Sequence, residues 1–261
     1  MDLDQVMRTA VRAAYRGSDV LRSRFGNLST IGKKGPSDLV TDADTASETE
    51  IIAAIRASFP DHTIVAEESG VRNGPAAFRW LVDPLDGTVN YAHQVPFFAV
   101  SIAFAAGGDV RLGVVLNPVS GELFTAQAGG GARLNGRPIR VSPETRVSES
   151  LLATGFPYDL GYGFDAMGKR FLRCLKAARG IRRLGSAALD LCYVACGRFA
   201  GYWEDHLQPW DSAAGILIVR EAGGTVTDFS NQSSGAAAGE VLATNGHIHR
   251  DMLALMEVGN S

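Results

Sequence analysis

The 261-residue sequence predicts an α+β fold whose second half is a layered α/β arrangement. Three observations carry this. Two helical patterns open the chain. Short apolar runs, closely separated by turn residues, fill the stretch from 63 to 142, as antiparallel hairpins would. From 151 onward, strand-like runs alternate with helical ones.

The first helix is expected over 4–24, an amphipathic pattern with early acids rather than a signal peptide. The second runs from 42 to 58, with Ile51, Ile52 and Ile55 on one side and Pro60 just past its end. Strand candidates follow: TIVA (63–66), RWLVD (79–83), FFAVSIAFA (97–105), VRLGVVLNP (110–118), ELFTAQA (122–128) and PIRVS (138–142). GGGARLNGRP (129–138) reads as loop, because its glycines lack the strand–GxGxxG–helix context of a nucleotide site. PETRVSES (143–150) is the expected join between an N-terminal half, 1–145, and a C-terminal half, 146–261. After it come strand candidates LLATGF (151–156), IRRL (181–184), AGYWE (200–204), GTVTD (224–228) and VLAT (241–244). Helical patterns occupy 164–178, 186–196, 211–222 and 246–257, and SNQSSGAAAG (230–239) reads as an exposed loop.

Composition narrows the function. A net charge of −3 and a pI near 6.0 give no electrostatic footprint for direct nucleic-acid binding. No apolar run reaches roughly 18 residues, so no membrane span is expected. Three cysteines argue against a disulfide framework. Cys192 and Cys196 share a helix face, but Leu191, Tyr193 and Val194 around them indicate buried, reduced thiols rather than metal ligands. A cytoplasmic protein is the expectation.

Chemistry is concentrated in two acidic segments, LVDPLDGTVNY (81–91) and PWDSAAGILIVREAGG (209–224), with AEES around Glu67 as a third piece. Asp83 ends an apolar strand, Pro84 stops regular pairing, and Asp86 follows within one turn. Both carboxylates can therefore face one cation or bridge two. Gly87 lets the backbone approach a ligand, and Thr88 supplies a hydroxyl at the start of a short helix. An Asx-turn with a helix cap would explain DPLDGT alone. Several acids beside glycine and small residues better suit a hard cation shared with a substrate phosphate.

DPLDGTVNYAHQVPFFAVSIAF resembles the first signature of the inositol monophosphatase family, and PWDSAAGILIVREAGG resembles the second. The intervening GSAALDL and GYWE match as well, and the resemblance runs from DLVTDAD (38–44) to the C-terminal LATN, nearest the bacterial inositol-1-monophosphatase branch. It implies an α+β / α/β layered sandwich, the inositol monophosphatase/sugar phosphatase-like fold, with alternating helix and sheet layers. An antiparallel sheet would lie in the first half and a smaller, mostly parallel one in the second. It also implies a homodimer and a lithium-sensitive, Mg²⁺-dependent phosphatase with two or three ions per site. Glu67, Asp83 and the Leu85 carbonyl resemble the ligands of one Mg²⁺. Asp83, Asp86 and Asp211 resemble those of a second, and Glu67 would help hold a third. Thr88 with Asp44 would orient the attacking water, and no covalent phosphoenzyme is implied. Asp44 also sits where it complements a helix dipole, and the two roles are compatible. Asp86, Gly87, Thr88, Ser186, Ala187, Glu204 and Asp211 would surround the substrate, with Glu204 reading inositol hydroxyls. Glu68 is expected to support its neighbour, and Lys33 or Lys34 to approach the third ion. Asp205 and His206 depart from the less polar residues that the family pattern leads one to expect, which weakens strict inositol specificity; His206 reads as a rim residue. The implied substrate is a small phosphorylated polyol, myo-inositol-1-phosphate first. Histidinol phosphate, fructose-1,6-bisphosphate and 3′-phosphoadenosine 5′-phosphate are the alternatives within the fold. Some bacterial relatives also associate with the transcription machinery, and Arg182, Arg183 and the helix from 186 would form such a surface here.

Overall fold

A computed structural model describes residues 2–27, 31–33, 39–72, 77–157, 163–233 and 239–257. Of the expected loop at 27–40, residues 28–30 and 34–38, Lys34 included, lie outside them, as do 234–238 of the expected exposed loop.

Helix α1 (Leu3–Arg24) starts from Asp2, whose Oδ1 accepts from the Asp4 and Gln5 N–H groups at 2.9 and 3.1 Å. Strands β1 (Ile31–Lys33) and β2 (Leu39–Thr41) form a small hairpin that runs into α2 (Asp42–Arg56). The next strands are β3 (Thr63–Ala66), β4 (Gly70–Arg72) and β5 (Phe78–Asp86). After the short helix α3 (Thr88–Ala92) come β6 (Ala99–Ala106), β7 (Asp109–Leu116), β8 (Leu123–Gln127), β9 (Gly131–Leu134) and β10 (Arg137–Pro138). Among the described residues these make one sheet, ordered β10-β9-β8-β7-β6-β5-β3-β4, antiparallel throughout except where β3 runs parallel to β5.

The second half holds β11 (Leu151–Thr154), α4 (Phe164–Ala177), β12 (Gly180–Arg182), α5 (Ala187–Ala195), β13 (Gly201–Glu204) and α6 (Pro209–Glu221). It ends with β14 (Thr225–Thr227), β15 (Val241–Thr244) and α7 (His249–Met256). The smaller sheet is ordered β12-β11-β13-β15-β14.

Strand alternation sets the layers. Trp80 and Val82 of β5 face α1 and α2 in one core, while Leu81 between them faces Leu191 of α5 and Ile216 of α6. The opposite side of α5 and α6 meets Ala153, Tyr202 and Ala243 of the small sheet. Leu152, Trp203 and Leu242, one residue away on the same strands, turn outward to Cys174 of α4 and Met252 of α7. Helices, sheet, helices, sheet and helices therefore stack in five layers, the alternating arrangement the resemblance implies.

Two local expectations change. The segment 129–138 is a hairpin, not a loop, and no strand covers 139–142. Asn135 and Gly136 take φ of +49° and +77°, so this Asn-Gly pair is a tight hairpin turn. The small sheet is mixed rather than mostly parallel: β11 is parallel to β12 and β13, but β15 is antiparallel to β13 and β14. Strand–helix alternation marks crossovers, and it does not reveal that β14 and β15 follow each other with no helix between them among the described residues.

Candidate active site

The site grows from an irregularity in β5. Asp83 pairs with Ser101 but Asp86 with Ala99, so the strand bulges through Pro84. Asp83 Oδ1 accepts from the Leu85 N–H at 3.0 Å, and the Pro84 carbonyl accepts from Ser47 Oγ at 2.9 Å, which ties the bulge to α2. Gly87 then turns the chain into α3 with φ of +97°, and a Cβ there would sit 3.1 Å from the Gly185 carbonyl oxygen. Thr88 Oγ1 lies 3.1 Å from both Asp44 Oδ1 and the Leu85 carbonyl oxygen. Asp44 Oδ2 accepts from the Thr41 N–H at 2.8 Å and from Thr41 Oγ1 at 2.6 Å, so Asp44 closes the capping box of α2 while it faces Thr88.

Asp86 is held from the other half of the chain. Its Oδ2 accepts from Ser186 Oγ at 2.5 Å and the Ala188 N–H at 2.8 Å, where α5 begins. Asp211 sits in the first turn of α6, behind Pro209, and accepts from the Gln208 N–H at 2.8 Å. Glu67 follows β3, with its N–H on the Val82 carbonyl at 3.2 Å. The Glu68 N–H is bound by Glu48 Oε2 at 2.8 Å, a supporting contact.

A cavity of about 440 Å³ collects these groups. Glu67, Asp83, Leu85, Asp86, Gly87, Thr88, Ser186, Ala187, Glu204 and Asp211 all line it; Asp44 alone stands behind the wall, touching it through Thr88. Burial raises the Asp83 carboxyl well above its ordinary range, and the charges of Glu67, Asp86 and Asp211 raise it further. Burial also pushes Asp86 up to about 6, against the lowering effect of its bonds from Ser186 and Ala188. Asp211 is raised well above its range by burial first, then by Asp86 and Glu67. Mutually repelling oxygen donors of this kind suit a hard divalent cation, which would reverse each of those shifts. Among the described residues no three His, Cys, Asp or Glu side chains already stand as the ligands of one ion.

Glu204, at the end of β13, lines the same cavity. Tyr202 Oη donates to Glu204 Oε2, and burial pushes this carboxyl up to about 7. A Cβ on Gly155 would overlap the Glu204 carboxylate, so the glycine keeps that position open. Sequence reasoning passed over Tyr202 and Gly155, as it did Asp190 of α5. Asp190 is buried in the cavity wall, and among the described residues its Oδ1 has no hydrogen-bond partner. An acid inside the apolar run AALDLCYVA was the available signal for it. Arg183 also lines the cavity.

Comparisons agree along the whole chain. Residues 2–258 match the inositol monophosphatase family. An inositol-1-monophosphatase from Synechocystis is 44% identical over 253 residues, covering 96% of this chain and 88% of that protein. The Nus factor SuhB of Haemophilus influenzae is 42% identical over 254 residues, covering 96% and 95%. The crystal structure of the extragenic suppressor protein suhB from Bartonella henselae superposes with a TM-score of 0.94 at 41% identity, covering 98% of this chain and all of that one.

Proposed function

This chain belongs to the inositol monophosphatase family, and we propose that it is a Mg²⁺-dependent phosphomonoesterase that hydrolyses myo-inositol-1-phosphate to inositol and phosphate. The observation that carries this reading is the gathering of Glu67, Asp83, Asp86 and Asp211 around one cavity, with the Thr88–Asp44 pair at its edge. Residues 1–145 would supply most of the ion-binding side and residues 146–261 the substrate side.

Glu67, Asp83, the Leu85 carbonyl, Asp86 and Asp211 would hold two or three Mg²⁺ ions. Bound there, Mg²⁺ supplies charge neutralisation at the phosphate and acidifies water near neutral pH. Thr88 Oγ1 orients the attacking water and can pass its own proton to Asp44 Oδ1 as it accepts one. The Ser186 and Ala188 bonds keep one oxygen of Asp86 fixed while the other remains for an ion. Glu204, held by Tyr202, accepts a polyol hydroxyl, and Ala187 and Ser186 border the ring.

Phosphate release tests the reading, with inositol-1-phosphate, fructose-1,6-bisphosphate, histidinol phosphate and 3′-phosphoadenosine 5′-phosphate, each with and without Mg²⁺ and Li⁺. Mg²⁺-dependent turnover led by inositol-1-phosphate, inhibited by Li⁺ and lost in Asp86→Asn, supports it. Turnover led by another substrate overturns the specificity and leaves the ion site.

A second role rests on the name Nus factor carried by SuhB relatives. We propose a transcription partner for this chain too, compatible with catalysis because the acids are all present. Capture of the same partner by wild type and Asp86→Asn would separate this role from turnover. A cytoplasmic homodimer completes the proposal.

A further inference from the structure

His206 follows Glu204 and Asp205 at the end of β13, and its φ is +64°. That left-handed conformation favours glycine, and histidine is among the other residues that adopt it more readily. His206 Nδ1 lies 3.3 Å from Asp205 Oδ1, and Asp205 Oδ2 lies 3.5 Å from Arg170 Nη1, with the Asp205 and Arg170 side chains each only 15% exposed. Arg170 is itself pinned, donating from Nε to the Met256 carbonyl at 3.1 Å and lying 4.6 Å over the Phe229 ring. A chain of contacts thus runs from the outer helices to an imidazole at the cavity lip that is 56% exposed. Glycine would satisfy the backbone without strain, so the fold alone gives no reason for a histidine.

Arg183 lines the same cavity. It is exposed, and among the described residues no hydrogen bond or ion pair occupies its guanidinium. Its charge reaches Glu204 and Asp190. Arg183 and His206 are the basic side chains that line this otherwise acidic cavity among the described residues.

We propose that His206 and Arg183 form a clamp for a second anionic group on the substrate, a phosphate or carboxylate remote from the phosphate that is cleaved. This rests on the phosphomonoesterase reading and refines its substrate class. The guanidinium fork matches two oxygens of such a group. A protonated imidazole can donate from Nε2 while Nδ1 keeps Asp205. The polyol hydroxyls stay with Glu204, and a cavity of about 440 Å³ has room for both ends of a small phosphorylated acid or bisphosphate.

The test compares kcat/KM for fructose-1,6-bisphosphate and inositol-1-phosphate in wild type, His206→Gly and Arg183→Gln. The glycine removes the imidazole without straining the backbone, so the variant should fold with a Tm close to that of wild type. In both variants the bisphosphate-to-monophosphate ratio should fall about tenfold, through KM rather than kcat. Kd for both ligands is also measured by calorimetry with Mg²⁺ on the Thr88→Ala background, where turnover is slow. Hydrolysis of neither substrate by wild type, with a Kd ratio that still falls in both variants, would sink the phosphatase reading and keep the clamp. An unchanged ratio, or equal losses for both ligands, overturns the clamp whatever the turnover.

Discussion

Thr88 Oγ1 and Asp44 Oδ1 meet at 3.1 Å across 44 residues of sequence, where the starts of α3 and α2 converge. The Leu85 carbonyl stands at the same distance, so a single hydroxyl proton serves two acceptors. If the Thr88–Asp44 pair handles the proton of the attacking water, Thr88→Ala should lower kcat by about 10² to 10⁴ with little change in KM. Thr88→Ser keeps the hydroxyl and should recover most of the rate. Equal losses in both variants would show that the methyl group, not the hydroxyl, matters.

Asp44 has a structural duty that can be measured apart from catalysis. It accepts from Thr41 twice and closes the α2 capping box. Asp44→Ala should cost about 1 kcal/mol in urea denaturation. Asp44→Asn retains an acceptor toward Thr41 and should cost less, yet lose activity comparably because an amide does not take the proton. Matching stability losses in the two variants would contradict this division.

Glu204 depends on Gly155 for its place, since a Cβ there would overlap its carboxylate. Gly155→Ala should raise KM for the polyol phosphate about tenfold and leave kcat less affected. The ionised carboxylate is the hydroxyl acceptor, and burial puts its midpoint at about 7. Wild-type kcat/KM should therefore fall as pH drops through about 7, and Glu204→Gln should flatten that limb. A limb that persists in the glutamine variant would assign it to another group.

Periodicity made most of this architecture legible. The Ile51, Ile52 and Ile55 face of α2 is buried as the spacing requires, and β6 and β7 lie within two residues of their expected bounds. Residues whose role depends on a distant neighbour were not legible. Gly155 has an ordinary negative φ, so no local turn preference marks it; only the Glu204 carboxylate, brought alongside by β13 pairing with β11, explains it. Asp190 looks like a misplaced acid until the cavity exists. His206 was read as a rim residue, but its left-handed backbone and its line to Arg170 have no sequence signature.

The acid cluster itself links pH, metal and stability. In the metal-free protein Asp83, Asp86 and Asp211 have carboxyls raised above the unfolded value, chiefly by burial. The folded state then binds protons more tightly than the unfolded chain between about pH 4 and the raised midpoints. Stability of the metal-free protein must fall as pH rises through that window, since ionised, repelling acids are left in the cavity. Mg²⁺ binds the ionised form and offsets the repulsion. The rise in Tm on adding Mg²⁺ should be small at about pH 5 and grow toward about pH 8. Asp86→Asn removes one repelling charge, so without metal at about pH 8 it should match or exceed wild-type stability while its Mg²⁺ response shrinks. Thermal scans of both proteins with Mg²⁺ and with chelator decide the matter. A Mg²⁺ shift of equal size at both pH values, or one undiminished in Asp86→Asn, would remove these carboxylates from the ion site.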